Sequence, residues 1–395
     1  MFSEKMLKLG TNRSVIRDLF EYAKKRKAEI GEDKVFDFSI GNPSVPAPAC
    51  VREAAIDLLQ NEDEVLLHGY TSAQGDAGLR KNIAEYINEQ HGTSLTADSL
   101  YITVGAAASL TISLTALAED GDEFITFAPF FPEYRVFVEK TGSKLVVVNS
   151  SPEDFQIDCE AFEKALTPHT KGVILNSPNN PSGVVVTEEC IKTVCGILEK
   201  KQEEYGHPIF LITDEPYREL VYDGVKVPYL MNYYDNTIVC YSYSKSLSLP
   251  GERIGYIAVS DKAVEWKNIY AAICGAGRAL GYVCAPSLFQ QVVARCIGKT
   301  SDVSVYKKNR DILYNALTEY GYRCIKPDGA FYLFVEALEK DAGAFSEKAK
   351  EFELLLVPAD SFGTPGFVRI SYCVSTEQIE KSLPAFKALA ESYGR

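Results

Sequence analysis

Short apolar runs recur through the middle of the chain, at 100–104, 123–127, 144–148, 172–175, 209–213, 237–241 and 255–259. Most are continuous rather than alternating, as strands buried on both faces should be. Helically spaced stretches separate several of them. That alternation predicts an α/β fold with a mostly parallel central sheet and helices on both faces. Upstream, 14–30 reads as an amphipathic helix, with further helices over 49–60 and 76–91 and a loop over 68–75. Pro43, Pro46 and Pro48 make 37–48 an extended segment crossing between domains. After 287 the character shifts. A helical pattern over 287–320 leads to a strand at 329–335, a helix near 344–351, strands at 354–357 and 367–372, and a terminal helix from 376. The expected division is an N-terminal segment (1–47) joining the small domain, a large domain (48–286) and a small C-terminal α+β domain (287–395).

Composition narrows the function classes. The 395 residues are 46% hydrophobic and 24% charged, which gives ample core. A net charge of -13 argues against nucleic-acid binding, which leaves a basic footprint. Ten cysteines are scattered without a CxxC pair, and four histidines stand apart. This argues for free thiols in a reducing cytoplasm and against a zinc site. Cys240, Cys274 and Cys284 lie in apolar runs and are expected to be buried. The first fourteen residues lack the apolar core of a signal peptide. The apolar stretch 100–118 carries several Thr and Ser and reads as a buried strand and helix rather than a membrane span.

In open parallel sheets, ligands bind beyond the carboxyl ends of the strands, and four such ends carry unusual groups. After 100–104 comes Gly105-Ala106-Ala107-Ala108-Ser109, where small residues let a phosphate reach the free N–H groups of a helix start; close packing is the plainer account. The GxGxxG and GxxxxGK[ST] patterns are absent. After 172–175 comes Asn176-Ser-Pro178-Asn179-Asn180-Pro181-Ser182-Gly183, a rigid turn able to aim amides into a cleft. Asp214-Glu-Pro-Tyr217 follows 209–213. Its carboxylate could partner a ring nitrogen, or simply cap a helix. The last is Ser242-Tyr-Ser244-Lys245, then Gly251-Glu-Arg253-Ile-Gly255: an amine placed for Schiff-base formation and an arginine suited to a phosphate.

Together with Ile40-Gly41-Asn-Pro43 and Arg369-Ile-Ser371, these segments resemble the class I/II aminotransferases, pyridoxal 5'-phosphate (PLP) enzymes of fold type I, in the family's order and over nearly the whole chain. The resemblance implies that Lys245 is the Schiff-base lysine, Asp214 the partner of the pyridine nitrogen, and Tyr217 and Asn180 the groups holding the ring's phenolic oxygen. It implies a phosphate cup of Ser242, Ser244, Arg253 and the amides of Ala106 and Ala107. Phe131 falls where the family stacks an aromatic on the ring, and Tyr70 where a tyrosine reaches the neighbouring subunit's phosphate. Arg369, with Asn180 and the backbone of Gly41, corresponds to the grip on the substrate α-carboxylate.

The implied reaction moves an amino group from an L-amino acid to a 2-oxo acid by ping-pong chemistry, in a homodimer with shared active sites. The nearest whole-chain resemblance is to bacterial aspartate aminotransferases. That makes aspartate and 2-oxoglutarate the expected pair, with Arg278 the candidate for the second arginine that aspartate-type members of the family take from the partner subunit for a side-chain carboxylate. Aromatic or alanine-type donors, or C–S β-elimination, remain open on the same scaffold. A ligand-sensing regulator would carry an added basic domain, whereas the catalytic-type pattern here starts near residue 14 and the chain is acidic.

Overall fold

The computed structural model describes residues 2–11 and 14–395. The strands are β1 (Phe36–Asp37), β2 (Leu100–Thr103), β3 (Glu123–Ala128), β4 (Lys144–Asn149), β5 (Thr170–Asn176), β6 (Phe210–Asp214), β7 (Thr237–Ser242), β8 (Gly255–Val259), β9 (Tyr332–Glu336), β10 (Leu354–Leu355), β11 (Val357–Pro358) and β12 (Phe367–Ser371). Seven form one sheet in the order β2-β8-β7-β6-β5-β3-β4. Pairing is parallel from β4 through β7, while β8 runs antiparallel to both β7 and β2. The mostly parallel sheet therefore stands. The one reversed strand brings Gly255 opposite both Ser242 and Thr103, so the start of β8 shares an edge with the carboxyl ends of its neighbours.

Both faces of the sheet are covered. The helix Ala106–Leu117 packs on one face with Trp266–Leu280, and Glu188–Tyr205 covers Val173, Leu175 and Leu211 on the other. That is why β2, β6, β7 and β8 are buried at every position. The stretch 100–118 is a strand and a helix, and among the described residues no helix is long and apolar enough to cross a membrane. A second sheet, β11-β12-β9, is antiparallel. It packs with the helices Ser304–Glu319, Ala342–Ala349 and Thr376–Glu391 around Phe331, Phe345, Phe386 and Leu389. β1 pairs with β10, tying the N-terminal segment to this second unit.

Two expectations change. The pattern over 287–320 is two helices, Ser287–Ala294 and Ser304–Glu319. The first ends with Arg295 as its C-cap, Gly298 then turns the chain at φ 75°, and the Asp302 carboxylate accepts from the Ser304 N–H at 3.0 Å where the next begins. Val292 and Val293 pack with Val51, Leu79 and Ile83 of the helices Ala49–Asn61 and Ala77–His91. Of the three cysteines expected to be buried, only Cys240 is; Cys274 and Cys284 are partly exposed.

Candidate active site

The carboxyl ends of β5, β6 and β7 open into a cavity of about 370 Å³ lined by residues from both units. Each wall is held by its own local bonds. At the end of β5, the Asn176 amide donates to the Asp214 carbonyl at 2.8 Å, and its carbonyl accepts from the Asn180 N–H at 2.7 Å. The Asn179 side-chain Oδ1 accepts from the Ser182 N–H and hydroxyl. The 176–183 turn is thereby laced to the end of β6, with Asn180 against the cavity.

Asp214 is 6% exposed, the last residue of β6. Oδ2 accepts from the Tyr134 hydroxyl at 2.6 Å, while Oδ1 is buried without a partner. Burial pushes the carboxyl up to about 7, against the opposing pull of the Tyr134 bond. A carboxylate in this position is unsatisfied until a cationic N–H reaches it. Tyr217 shares a hydrogen bond of 2.9 Å with Tyr332, and burial holds its phenol well above the usual range.

Ser242 ends β7 and caps the short turn carrying Lys245: its Oγ accepts from the Ser244 N–H at 3.1 Å and lies 2.6 Å from the Ser244 Oγ. The Lys245 ammonium donates to the Gly41 carbonyl at 2.7 Å and lies 5.1 Å from the centre of the Phe331 ring. Its pKa falls from 10.5 to about 8, chiefly by burial, with Arg369 and Arg253 adding to the fall and Cys373 opposing it. Arg253 takes φ 52° and donates to the Pro250 carbonyl at 3.0 Å. It lies against Gly105, where a Cβ would sit 2.8 Å from Nη2. Gly105 opens the twelve-residue helix Ala106–Leu117 at φ 98°, so the free N–H groups of that helix start, the two serines and Arg253 converge on one corner.

Arg369 lies in the middle of β12 and is 3% exposed. It donates to the Asn180 Oδ1 at 3.2 Å and the Ser39 carbonyl at 2.6 Å, lies over the Tyr332 and Phe362 rings, and leaves Nε without a partner. The hydrogen-bond partners of Lys245, Arg253 and Arg369 are all uncharged oxygens. Among the described residues none of the three cations is paired with a carboxylate, and together they make a corner that wants anions.

Gly41, Ala106, Ala107, Phe131, Asn180, Asp214, Tyr217, Ser242, Ser244, Lys245, Arg253 and Arg369 all line this cavity. Tyr70 and Arg278 do not. Tyr70 is 98% exposed and Arg278 lies exposed near the end of the helix Trp266–Leu280. Their segments meet where the Cys284 thiol donates to the Thr71 carbonyl. Tyr134 and Tyr332 were missed by sequence reasoning. Tyr134 follows Phe131 by three residues, its N–H bonded to the Phe131 carbonyl at 3.1 Å, and that short spacing is the signal that could have found it.

The sequence pattern of the family described as aminotransferase class I and II matches residues 33–386. The chain belongs to this family. Over 96% of its length it is 31% identical to a probable aspartate aminotransferase of Methanocaldococcus jannaschii, covering 97% of that protein. It is 29% identical to aromatic-amino-acid aminotransferase 2 of Thermococcus litoralis, over 94% of each chain. An aminotransferase of Eubacterium rectale, solved by crystallography, superposes with a TM-score of 0.98 at 59% identity over the full length of both chains.

Class I and II aminotransferases are PLP-dependent fold type I enzymes, and this chain is such a transaminase. The residues present fit the cofactor. The unpartnered Asp214 Oδ1 matches a protonated ring nitrogen, and the Gly105–Arg253 corner, which a single Cβ would fill, matches a phosphate.

Proposed function

We propose that the protein transfers an amino group from an L-amino acid to a 2-oxo acid with Lys245 as both cofactor-binding amine and proton carrier. What carries this reading is the convergence of Lys245, Asp214 and Arg369 in one cavity, none with a charged partner. Arg369 and Asn180 would hold the donor's α-carboxylate, fixing its Cα beside the Lys245 amine. PLP bound there supplies an electron sink for negative charge at that carbon. Asp214 would keep the ring nitrogen protonated by offering its unpartnered oxygen. Ser242, Ser244, Arg253 and the amides of Ala106 and Ala107 would hold the phosphate, Phe131 would cover the ring, and Tyr217 and Asn180 would meet its phenolic oxygen.

An amine with a pKa near 8 is a workable base near neutral pH. The Lys245 Nζ takes the proton from the donor's Cα, a step that general-base catalysis accelerates by about 10²–10⁴-fold. The Gly41 carbonyl, 2.7 Å away, orients the amine.

A homodimer is part of the proposal. Val65 and Leu66 are 80% and 78% exposed beside Tyr70, and Tyr282 and Val283 are exposed next to Cys284. An apolar face of this kind marks an interface, and a second copy seated there would bring Tyr70 within reach of the neighbouring phosphate corner. The scattered free thiols support a cytoplasmic location. Aspartate with 2-oxoglutarate is the finer reading, and it depends on a cation for the second carboxylate. Since Arg278 lies outside its own protomer's cavity, that cation would have to come from the partner copy.

The test is transfer itself. Purified protein with PLP, an amino acid and a 2-oxo acid should yield the exchanged pair, and Lys245→Ala should abolish turnover. Undiminished transfer by Lys245→Ala would overturn the assignment.

A further inference from the structure

The turn that carries Lys245 is also held from a side that the transfer chemistry does not use. Neighbours in a strand face opposite ways. Ser242 lines the active-site cavity, while Tyr241 lines a separate pocket of about 30 Å³ that shares no lining residue with it among the described residues. Tyr241 Oη lies 2.9 Å from Glu219 Oε1 and 2.8 Å from Ser246 Oγ, placed to donate to either. A phenol has one hydrogen to give. Ser246 follows Lys245 directly. Its carbonyl accepts from the Ser301 N–H at 2.7 Å, and the Lys245 carbonyl accepts from the Ser248 N–H at 3.3 Å. A bond from Tyr241 adds a side-chain hold beside these backbone ones. Tyr241 and Ser246 are both buried.

Glu219 decides where the phenolic hydrogen goes. An ionised carboxylate draws it more strongly than a hydroxyl, since charge-assisted hydrogen bonds are roughly twice as strong as neutral ones. A protonated Glu219 instead donates to Tyr241 Oη and frees that hydrogen for Ser246. Burial pushes Glu219 up to about 7, with the Tyr241 bond and Arg218 opposing and Glu215 adding to the rise. Tyr86 of the helix Ala77–His91, Tyr243 of the turn, Tyr256 of β8 and Lys299 of the link after Ser287–Ala294 also line the pocket. Burial raises all three phenols, so they stay neutral here, and Lys299 is exposed.

We propose that Tyr241 is a positioning residue for Lys245 and that Glu219 controls it. With a proton on Glu219, the Tyr241 hydroxyl holds Ser246 and steadies the lysine; without that proton, the hydroxyl turns to Glu219 and the hold is released. The inference rests on Lys245 as the amine that takes the cofactor.

Full-length protein stripped of PLP is mixed with the cofactor, and covalent uptake is followed by stopped-flow absorbance from pH 6 to 9. Each variant's rate is divided by its parent's, so that the titrations of Lys245 and Asp214 cancel. Tyr241→Phe should slow uptake by about three- to tenfold below pH 7, the scale of one hydrogen bond, and by much less above pH 8. In a Glu219→Gln background, where residue 219 carries no charge, Tyr241→Phe should cost the same factor at every pH. Ser246→Ala removes the acceptor and should follow the pH course of Tyr241→Phe; it gives the same reading if circular dichroism shows the phenylalanine variant misfolded. In the loaded enzyme the factor should fall on kcat, with KM for the donor unchanged. Ratios that do not change with pH, or that change alike with and without Glu219, would overturn the proposal, as would Tyr241→Phe matching wild type. Wild-type protein that takes up PLP yet exchanges no amino group would sink the transfer reading instead, and the uptake ratios would still decide the role of Tyr241.

Discussion

Asp214→Asn separates what the active site needs from what the fold prefers. The carboxyl is raised from its ordinary 3.8 to about 7 by burial. The difference corresponds to about 4 kcal/mol for carrying the ionised form in the cofactor-free protein. The sign follows from linkage. Below pH 3.8 the group is protonated in both folded and unfolded chains and contributes no pH dependence. Between 3.8 and about 7 the folded state binds more protons than the unfolded one, so stability falls as pH rises. Above 7 the loss is complete.

Asparagine keeps an oxygen for the Tyr134 hydroxyl and carries no charge, but its NH₂ is left without a partner, costing about 1–3 kcal/mol. At pH 8 the cofactor-free variant should therefore be more stable than wild type by about 1–3 kcal/mol. At pH 4, where the charge costs almost nothing, it should be less stable by about 1–3 kcal/mol. Urea unfolding of protein stripped of PLP, at both pH values, reads the difference. PLP should then restore the order at pH 8, because it stabilises the wild type by binding the ionised carboxylate and binds the variant more weakly. A variant no more stable than wild type at pH 8, or a gap independent of pH, would refute the account of Asp214 as a strained charge awaiting a cationic partner.

Other outcomes follow from the same geometry. Tyr134→Phe removes the bond that holds the Asp214 carboxyl down, so the pH above which the site takes up PLP well should move upward in a cofactor titration. Lys245 is neutral only above about pH 8. The rate of covalent PLP uptake, followed by stopped-flow absorbance, should rise with pH through that value and then level, and Lys245→Arg should leave no borohydride-fixable label. Gly105→Ala puts a Cβ 2.8 Å from Arg253 Nη2 at a backbone φ of 98°. PLP affinity should fall by about tenfold or more, the scale of one lost charged contact, while circular dichroism stays unchanged.

The strand ends were legible in the sequence because polar groups such as Asp214 and Lys245 stand out immediately after buried apolar runs. The reversed direction of β8 was not, since a short apolar run looks the same in either orientation. The break between Ser287–Ala294 and Ser304–Glu319 was missed because helical spacing resumes on both sides of Gly298. Tyr332 went unassigned for another reason. It sits in β9 within an aromatic run whose buried positions read as core, and only the fold brings its hydroxyl to Tyr217 and its ring over Arg369.

Arg278 and Ile16 show where sequence reasoning about specificity stops. An arginine stands out in a motif, so Arg278 drew a role across the subunit boundary, and it lies exposed near the end of Trp266–Leu280, outside its own protomer's cavity. An isoleucine on an amphipathic helix attracts no attention, yet Ile16 reaches the cavity because that helix packs beside β11. Catalytic groups are recognisable by chemistry, since few residue types can do their work. The apolar residues that line the cavity are ordinary ones, and only the fold distinguishes them from core. Relatives with aspartate and aromatic names align with this chain at nearly the same identity, so overall likeness follows the fold and does not choose between their substrates.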